Sequence, residues 1–146
     1  MKRYVMVSGG FDNYHAGHAD YIKGAHEHGE VIVILNSDEW LKRKKGYVFM
    51  DFESRKRVMQ SIKGVVDVVS VDDTDGTVVK AIQTIKAENT RAKLYFAKGG
   101  DRGPDNTPEA EWCAHLGIEM IYNCGGGKTQ SSSELVRGAS EILAHG

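Results

Sequence analysis

Short apolar runs alternate along this chain with longer segments in which apolar residues recur at helical spacing. A short apolar run bounded by turn-forming residues is typical of a β-strand. The run Val31–Leu35 is apolar at every position, which indicates a strand covered on both faces, as in a parallel sheet. Five strands are predicted, at Tyr4–Ser8, Val31–Asn36, Val66–Val71, Leu94–Ala97 and Ile118–Tyr122.

Helical periodicity and helix-ending residues occupy the intervening segments. Gly29 is placed to end the first helix, because glycine readily leaves the helical conformation. Pro108 suits the first position of a helix, with Thr107 as its cap. Ser131 or Ser132 can cap the last helix. Five helices are predicted, at His18–His28, Asp51–Ile62, Gly76–Ala87, Pro108–Leu116 and Ser132–Leu143.

The alternation of strands and helices predicts the fold class. It is typical of a doubly wound, Rossmann-like α/β domain in which right-handed crossovers join about five parallel strands. A length of 146 residues fits a single domain that spans residues 1–146. Ligands of such sheets gather at the carboxyl ends of the strands, and each candidate motif below follows a predicted strand.

Charge and composition narrow the classes of partner. The net charge is −1 and the pI about 6.6, so overall charge does not favour a nucleic-acid or membrane partner. No apolar run approaches the roughly 18 residues that cross a bilayer, and the N-terminus lacks the apolar core of a signal peptide. Cys113 and Cys124 show no disulfide framework, which suits a reducing compartment. We therefore expect a cytoplasmic protein without nucleic-acid or membrane partners.

The segment Gly9–His18, with the sequence G-G-F-D-N-Y-H-A-G-H, has the most specific chemistry. Its Gly-Gly turn lets backbone N–H groups approach an anion, and His15 and His18 share one side of a helix N-terminus, where the dipole favours negative charge. This pattern predicts a polyphosphate site. Surface or capping histidines and zinc ligands are the alternatives, although the isolated cysteines disfavour structural zinc. The acidic segment Asp72–Asp75 is predicted to be a solvated, helix-capping turn rather than a metal site.

The motif resembles the first signature of the HxGH nucleotidyltransferases, the cytidylyltransferase-like superfamily. The resemblance implies transfer of a nucleotidyl group from a nucleoside triphosphate to a phosphorylated acceptor, with release of pyrophosphate. It implies that His15 and His18 contact the triphosphate and stabilise the five-coordinate α-phosphorus. The turn would then contact the nucleotide, through Gly9, Gly10, Phe11, Asp12 and Gly17. Asp12 would orient the loop or a magnesium-bound water, or only cap the loop.

Basic residues after the second strand match a further part of the family pattern. In the family a mobile lysine reaches the α-phosphate from this region, so Lys44 and Lys45 are the candidates and Lys42 is a third. Taken without the resemblance, the run Lys42–Lys45 indicates a solvated helix face. Phe52–Arg55 resembles the family's Y-x-E-x-R segment, which implies that Arg55 contacts a phosphate or the acceptor.

Two later segments also resemble the family. Lys98, Gly99, Gly100 and Asp101 follow the fourth strand and are similar to the segment in heptose-1-phosphate adenylyltransferases, which implies nucleotide contacts. The segment Gln130, Ser131, Ser132 and Ser133 resembles a motif that cradles β- and γ-phosphates at a helix N-terminus. An upstream arginine of the family is replaced by a glycine-rich stretch, in which Lys128 is the substitute phosphate contact.

The resemblance predicts a nucleotidyltransferase that uses ATP or CTP with Mg²⁺ held mainly by the phosphates. A sugar phosphate, such as a heptose phosphate, is the expected acceptor. The alternatives are a cytidylyltransferase acting on glycerol 3-phosphate or another small alcohol phosphate, and a non-catalytic nucleotide sensor. Relatives are commonly dimers, so a homodimer is expected.

Overall fold

A computed structural model describes residues 1–100 and 107–125, and their strands form one parallel sheet. The strands are β1 (Arg3–Gly9), β2 (Glu30–Leu35), β3 (Val65–Val69), β4 (Lys93–Gly99) and β5 (Glu119–Cys124). The helices are α1 (Ala16–His26), α2 (Asp38–Lys45), α3 (Phe52–Gln60), α4 (Val79–Glu88) and α5 (Ala110–His115). The predicted α/β class and all five predicted strands are confirmed. The predicted helix Ser132–Leu143 lies outside the described residues.

The strand order β3-β2-β1-β4-β5 places β1 at the centre of the sheet. In the parallel register, Val5 of β1 lies opposite Val31 of β2 on one side and Tyr95 of β4 on the other. After β3 the chain crosses back past β1, so the direction of winding reverses between β1 and β4. The crevice at the carboxyl ends of these two strands is where ligands bind in folds of this type.

Alternate side chains of the central strands enter two separate cores. Val5 and Val7 of β1 pack on the face that Ile22 of α1 and Met59 of α3 cover. Met6, between them, belongs to the opposite core with α4 and α5. The same alternation explains why Val31–Leu35 is apolar throughout and buried, as predicted. Among the described residues, no helix is long and apolar enough to cross a membrane.

The first helix begins and ends two residues earlier than predicted. It starts at Ala16 because His15 is its N-cap, and it ends at His26 with Glu27 as the C-cap. Gly29 does not end this helix. A Cβ at Gly29 would lie 2.6 Å from the backbone oxygen of Arg3, so glycine is needed there for close approach to β1.

Two other predicted helix starts are also wrong. The residues Gly76–Val78 form a turn before α4, and Gly76 has a φ of +83°, which is outside the helical region. Thr107 and Pro108 precede α5, whose N-cap is Glu109. The Thr107 hydroxyl makes no cap and, among the described residues, is a buried oxygen without a hydrogen-bond partner.

The helix α2 was not predicted, although its signals are local. Ser37 caps its N-terminus by accepting a hydrogen bond from the Trp40 N–H at 3.0 Å. Acidic residues occupy its first turn and the basic run Lys42–Lys45 its last turn, where both signs of charge suit the helix dipole. Gly46 then adopts a φ of +84° and ends the helix.

The Arg55 side chain joins four segments of the chain and has no exposed surface. Its Nη1 donates to the backbone oxygens of Gly10 at 2.9 Å and Asn36 at 2.8 Å. Its Nε donates to Met50 O, and its Nη2 pairs with Asp38 Oδ1 at 2.6 Å. The prediction that Arg55 contacts a phosphate or the acceptor is therefore wrong, because the guanidinium is buried and holds the site's backbone instead.

We expect Arg55→Lys to lower the free energy of unfolding by about 3 kcal/mol, because an ammonium cannot reproduce the fork and leaves buried carbonyls unpaired. Chemical denaturation measures this. The control is Arg57→Lys, the same change at an exposed position of α3, which should leave stability within about 0.5 kcal/mol. Equal stabilities for the two variants would contradict the assignment.

Candidate active site

His15 and His18 form a reciprocal cap at the N-terminus of α1. The His15 Nδ1 accepts a hydrogen bond from the Gly17 N–H at 3.0 Å, and the His18 Nδ1 accepts one from the His15 N–H at 3.3 Å. The two rings stack with their centroids 3.9 Å apart. The structure therefore brings the two predicted histidines together, and it also bears out the capping alternative. The N–H of Gly17 is used inside this cap.

Both histidines are held in their neutral forms. Burial, followed by the nearby His15 and Lys45, lowers the pKa of His18 from its ordinary 6.5 to about 3. Burial and then Lys45 also lower the pKa of His15. Because each Nδ1 accepts a backbone hydrogen bond, the ring proton is on Nε2. Each imidazole therefore carries an uncharged Nε2–H donor.

Lys45 is the predicted lysine that lies beside the histidines. Its Nζ donates to the backbone oxygen of Asp12 at 2.6 Å, and its charge acts on both imidazoles. Burial is the largest cause of a lowered pKa at Lys45, partly offset by Asp12. Since its partner is a backbone carbonyl at the start of the motif loop, Lys45 joins α2 to that loop.

The Asp12 carboxylate anchors a second loop. It is 3 % exposed and accepts hydrogen bonds from the N–H groups of Phe49 at 2.7 Å and Met50 at 2.8 Å. Both oxygens therefore serve the connection between α2 and α3, which fits the predicted loop-capping alternative for Asp12. That Asp12 also orients a magnesium-bound water stays a prediction. The described residues contain no group of three or more His, Cys, Asp or Glu side chains that could hold a metal ion directly.

The glycines of the motif provide space for packing. A Cβ on Gly10 would lie 2.6 Å from Leu41 Cδ2, so glycine lets α2 approach the loop. Phe11 has a φ of +48° and a buried side chain, whose ring lies edge-on to His18 at 4.9 Å. Gly9 faces this same ring. These predicted nucleotide contacts therefore shape the wall behind the histidines.

A cleft of about 160 Å³ opens at the carboxyl ends of β1, β2 and β4. Gly9 and Asn36 form part of its wall, and Lys44 and Lys98 line it from α2 and β4. The Lys98 Nζ hydrogen-bonds Ser8 Oγ at 3.2 Å, and the Lys44 Nζ lies 4.7 Å from the Trp40 ring. Two cationic side chains therefore line one small cleft beside the motif loop.

The structure describes only some of the remaining predicted contact residues. Gly99 packs against Tyr21 of α1, and Gly100 has a φ of +64°, so both are sites of close approach or turning after β4. Lys42 is exposed on α2 and is not among the residues that line the cleft beside Lys44 and Lys98. The other predicted contacts lie outside the described residues: Asp101, Lys128, Gln130, Ser131, Ser132 and Ser133.

Asp73 is a structural residue of the site that the sequence analysis missed. Its carboxylate is 2 % exposed and accepts hydrogen bonds from Asn36 Nδ2 at 2.9 Å and from the N–H and hydroxyl of Ser37 at 2.9 and 2.6 Å. Arg43 donates to its backbone oxygen. The predicted solvated turn is correct for Asp72 and Asp75, which are exposed and cap their own turns. It is wrong for Asp73, which fixes the start of α2.

We expect stability to fall as the pH is lowered through the range from about 6.5 to 4.5. The folded-state pKa of His18 lies below its unfolded value, so the unfolded chain binds protons first and is favoured, by up to about 1.4 kcal/mol per pH unit. Denaturation at several pH values measures this slope. In His18→Asn the slope should flatten; an unchanged slope would show that His18 is not held neutral.

Comparisons with known proteins identify the family to which this chain is similar. The family model described as Cytidylyltransferase-like matches residues 6–122. The chain is 33 % identical over 128 residues to the bifunctional protein HldE of Geobacter metallireducens, a match that covers 86 % of this chain and 23 % of that protein. It is 45 % identical over 70 residues to the FAD synthase of Pyrococcus horikoshii, covering 47 % of each.

The fold is also shared with a solved structure. The lipopolysaccharide core biosynthesis protein from Thermoplasma volcanium superposes with a TM-score of 0.63 at 22 % identity, covering 82 % of this chain and 93 % of that one. The present chain spans only about a quarter of the length of the HldE proteins that it matches. The matched family model extends from β1 to β5 and includes the histidine motif, so this chain belongs to the cytidylyltransferase-like family.

Proposed function

We propose that the protein is a nucleotidyltransferase, which moves a nucleoside monophosphate from a nucleoside triphosphate to a phosphorylated small molecule and releases pyrophosphate. The observation that carries the proposal is the reciprocal cap of His15 and His18 at the switch point between β1 and β4. Such a cap presents two neutral Nε2–H donors at a helix N-terminus, where a polyphosphate is favoured.

In the proposed reaction, an oxygen of the acceptor phosphate attacks the α-phosphorus in line with the departing pyrophosphate. The acceptor is already an anion, so no general base is required. His15 and His18 donate hydrogen bonds to the oxygens on which charge develops, and Lys45 beside them supplies positive charge. Because the imidazoles are neutral, they do not repel the Lys45 ammonium, and hydrogen-bond donors and a positive charge can lie side by side next to the triphosphate.

The acceptor phosphate is proposed to bind in the cleft that Lys44 and Lys98 line. The cleft adjoins the motif loop through Gly9, so an acceptor in it lies next to the proposed triphosphate site. The matched relatives, HldE proteins and an FAD synthase, differ in kind, so they do not indicate one acceptor. We propose a sugar phosphate or small alcohol phosphate, with ATP or CTP as donor and Mg²⁺ entering as part of the triphosphate substrate.

The test is pyrophosphate release with each of the four nucleoside triphosphates against a panel of sugar and alcohol phosphates in the presence of Mg²⁺. We expect release that depends on both an acceptor and one preferred nucleotide. Tight nucleotide binding without release across the panel would instead support the nucleotide sensor. Preference for CTP with glycerol 3-phosphate would favour the cytidylyltransferase alternative.

Two substitutions of His18 separate its capping role from its proposed catalytic role. The amide oxygen of His18→Asn can accept the His15 N–H bond but offers no donor at the Nε2 position, so we expect a folded protein with kcat/KM lowered about 10²–10³-fold. In His18→Gln the longer side chain carries its amide N–H towards the Nε2 position but no longer accepts the His15 N–H bond. We therefore expect stability to fall more in His18→Gln than in His18→Asn.

The matched control is His28→Asn, at an exposed position beyond the end of α1, which should retain wild-type rates. Kinetic constants and denaturation midpoints are measured for all three variants. A folded His18→Asn protein with near-wild-type kcat/KM would rule out the proposed role of the imidazole.

A further inference from the structure

Glu109 places a buried carboxylate in the wall of the cleft that Lys44 and Lys98 line. The side chain belongs to a residue only 5 % exposed, at the N-cap position of α5. Its Oε2 accepts a hydrogen bond from the Val78 N–H at 3.1 Å, across 31 positions of sequence. Nothing in the local sequence pattern distinguishes Glu109 from other glutamates at helix starts, so its position in the cleft was not predicted.

The described residues satisfy only part of the hydrogen-bond acceptor capacity of the Glu109 carboxylate. An ionised carboxylate can accept about four hydrogen bonds, whereas the described residues donate one, to Oε2. Two residues earlier, the Thr107 hydroxyl is buried and has no hydrogen-bond partner in the described part of the chain. Buried polar atoms without a protein partner need an explanation, and a ligand's polar groups are a frequent one. The segment Thr107–Glu109 thus holds hydrogen-bonding capacity that the described part of the chain does not use.

The charges lining the cleft define the kind of molecule that fits. Lys44 and Lys98 favour an anionic group such as phosphate. Glu109 disfavours a second anion and favours a hydrogen-bond donor. A molecule that carries one phosphate and neutral hydroxyl groups satisfies both requirements, because a hydroxyl donates to the carboxylate without bringing charge.

We propose that Glu109 is a specificity-determining residue that accepts a hydrogen bond from a hydroxyl group of the acceptor. The acceptor class is therefore a polyol phosphate or sugar phosphate, and phosphorylated carboxylic acids of the same size are rejected. This inference rests on the proposed function for the identity of the cleft as the acceptor site. It goes further in assigning a residue that selects among phosphorylated acceptors.

A purely structural role for Glu109 predicts different behaviour. The bond to the Val78 N–H requires an acceptor oxygen but no negative charge, so the amide oxygen of Glu109→Gln can preserve it. If the side chain served only that bond, this substitution would leave the choice of ligand unchanged. Selection between hydroxyl and carboxylate groups depends on the charge, and it is therefore the readout that separates the two roles.

The experiment measures binding by calorimetry to the full chain, so that it does not depend on turnover. The probes are two matched pairs, glycerol 3-phosphate with 3-phosphoglycerate and glucose 6-phosphate with 6-phosphogluconate, together with propyl phosphate and inorganic phosphate. The variants are Glu109→Gln and Glu111→Gln, the latter being the same change at an exposed position two residues away.

We expect the wild type to bind at least one hydroxyl-bearing phosphate about 10-fold or more tightly than its acid partner and than propyl phosphate. In Glu109→Gln this preference over the acid should fall about 10-fold or more, while inorganic phosphate binds at least as well as before. Glu111→Gln should match the wild type. If Glu109→Gln is unfolded by circular dichroism, Glu109→Asp retains the charge and should still reject the acids.

Equal preference in the wild type and Glu109→Gln would overturn the inference, as would failure of every hydroxyl-bearing phosphate to bind. These results differ from those that would overturn the proposed function. Charge-dependent selection without pyrophosphate release would support the role of Glu109 and contradict the transferase. Pyrophosphate release that is unchanged by Glu109→Gln with every acceptor would support the transferase and contradict the role of Glu109.

Discussion

The buried guanidinium of Arg55 is the interaction on which the site depends. A charge without exposed surface is tolerated only when hydrogen bonds and a counter-ion replace its hydration. Its partners here are the loop after β1, the end of β2, the turn before α3 and, through Asp38, the start of α2. The fold meets this demand by holding the four segments in one arrangement. The same arrangement places Lys44 and Lys45 next to the histidine loop.

In the site, hydrogen-bond donors and positive charges belong to different side chains. His15 and His18 are kept neutral by burial and by a cationic neighbour, and their reciprocal cap directs the remaining ring protons to Nε2. Positive charge is left to lysines on α2 and β4: Lys45 beside the histidines, and Lys44 and Lys98 in the neighbouring cleft. Asp73 supports this division indirectly, since it holds the residue that caps α2. The arrangement of the site thus depends on how closely α2 is held to the sheet.

The fold was predictable because its strongest signals are periodic. Buried strands produced continuous or alternating apolar runs, and the predicted bounds of all five strands lie within two residues of the observed ones. Helix starts were less predictable. The start of α1 depends on an imidazole acting as a cap, and α2 was overlooked because its charged turns outweighed its single buried leucine, Leu41. The motif histidines were identified because their signal is local and contiguous.

What the sequence by itself determined is the α/β alternation, the parallel sheet and the histidine motif of Gly9–His18, because each depends on residues that are close together in the chain. Only the tertiary structure decided that Arg55 and Asp73 are buried supports, and that Glu109 faces a cleft lined by lysines. Their partners lie far away in sequence: 45 positions from Arg55 to Gly10, 36 from Asp73 to Ser37 and 31 from Glu109 to Val78. Whether a charged side chain meets solvent, a ligand or a distant carbonyl depends on which segments the sheet brings together, and local periodicity does not encode that.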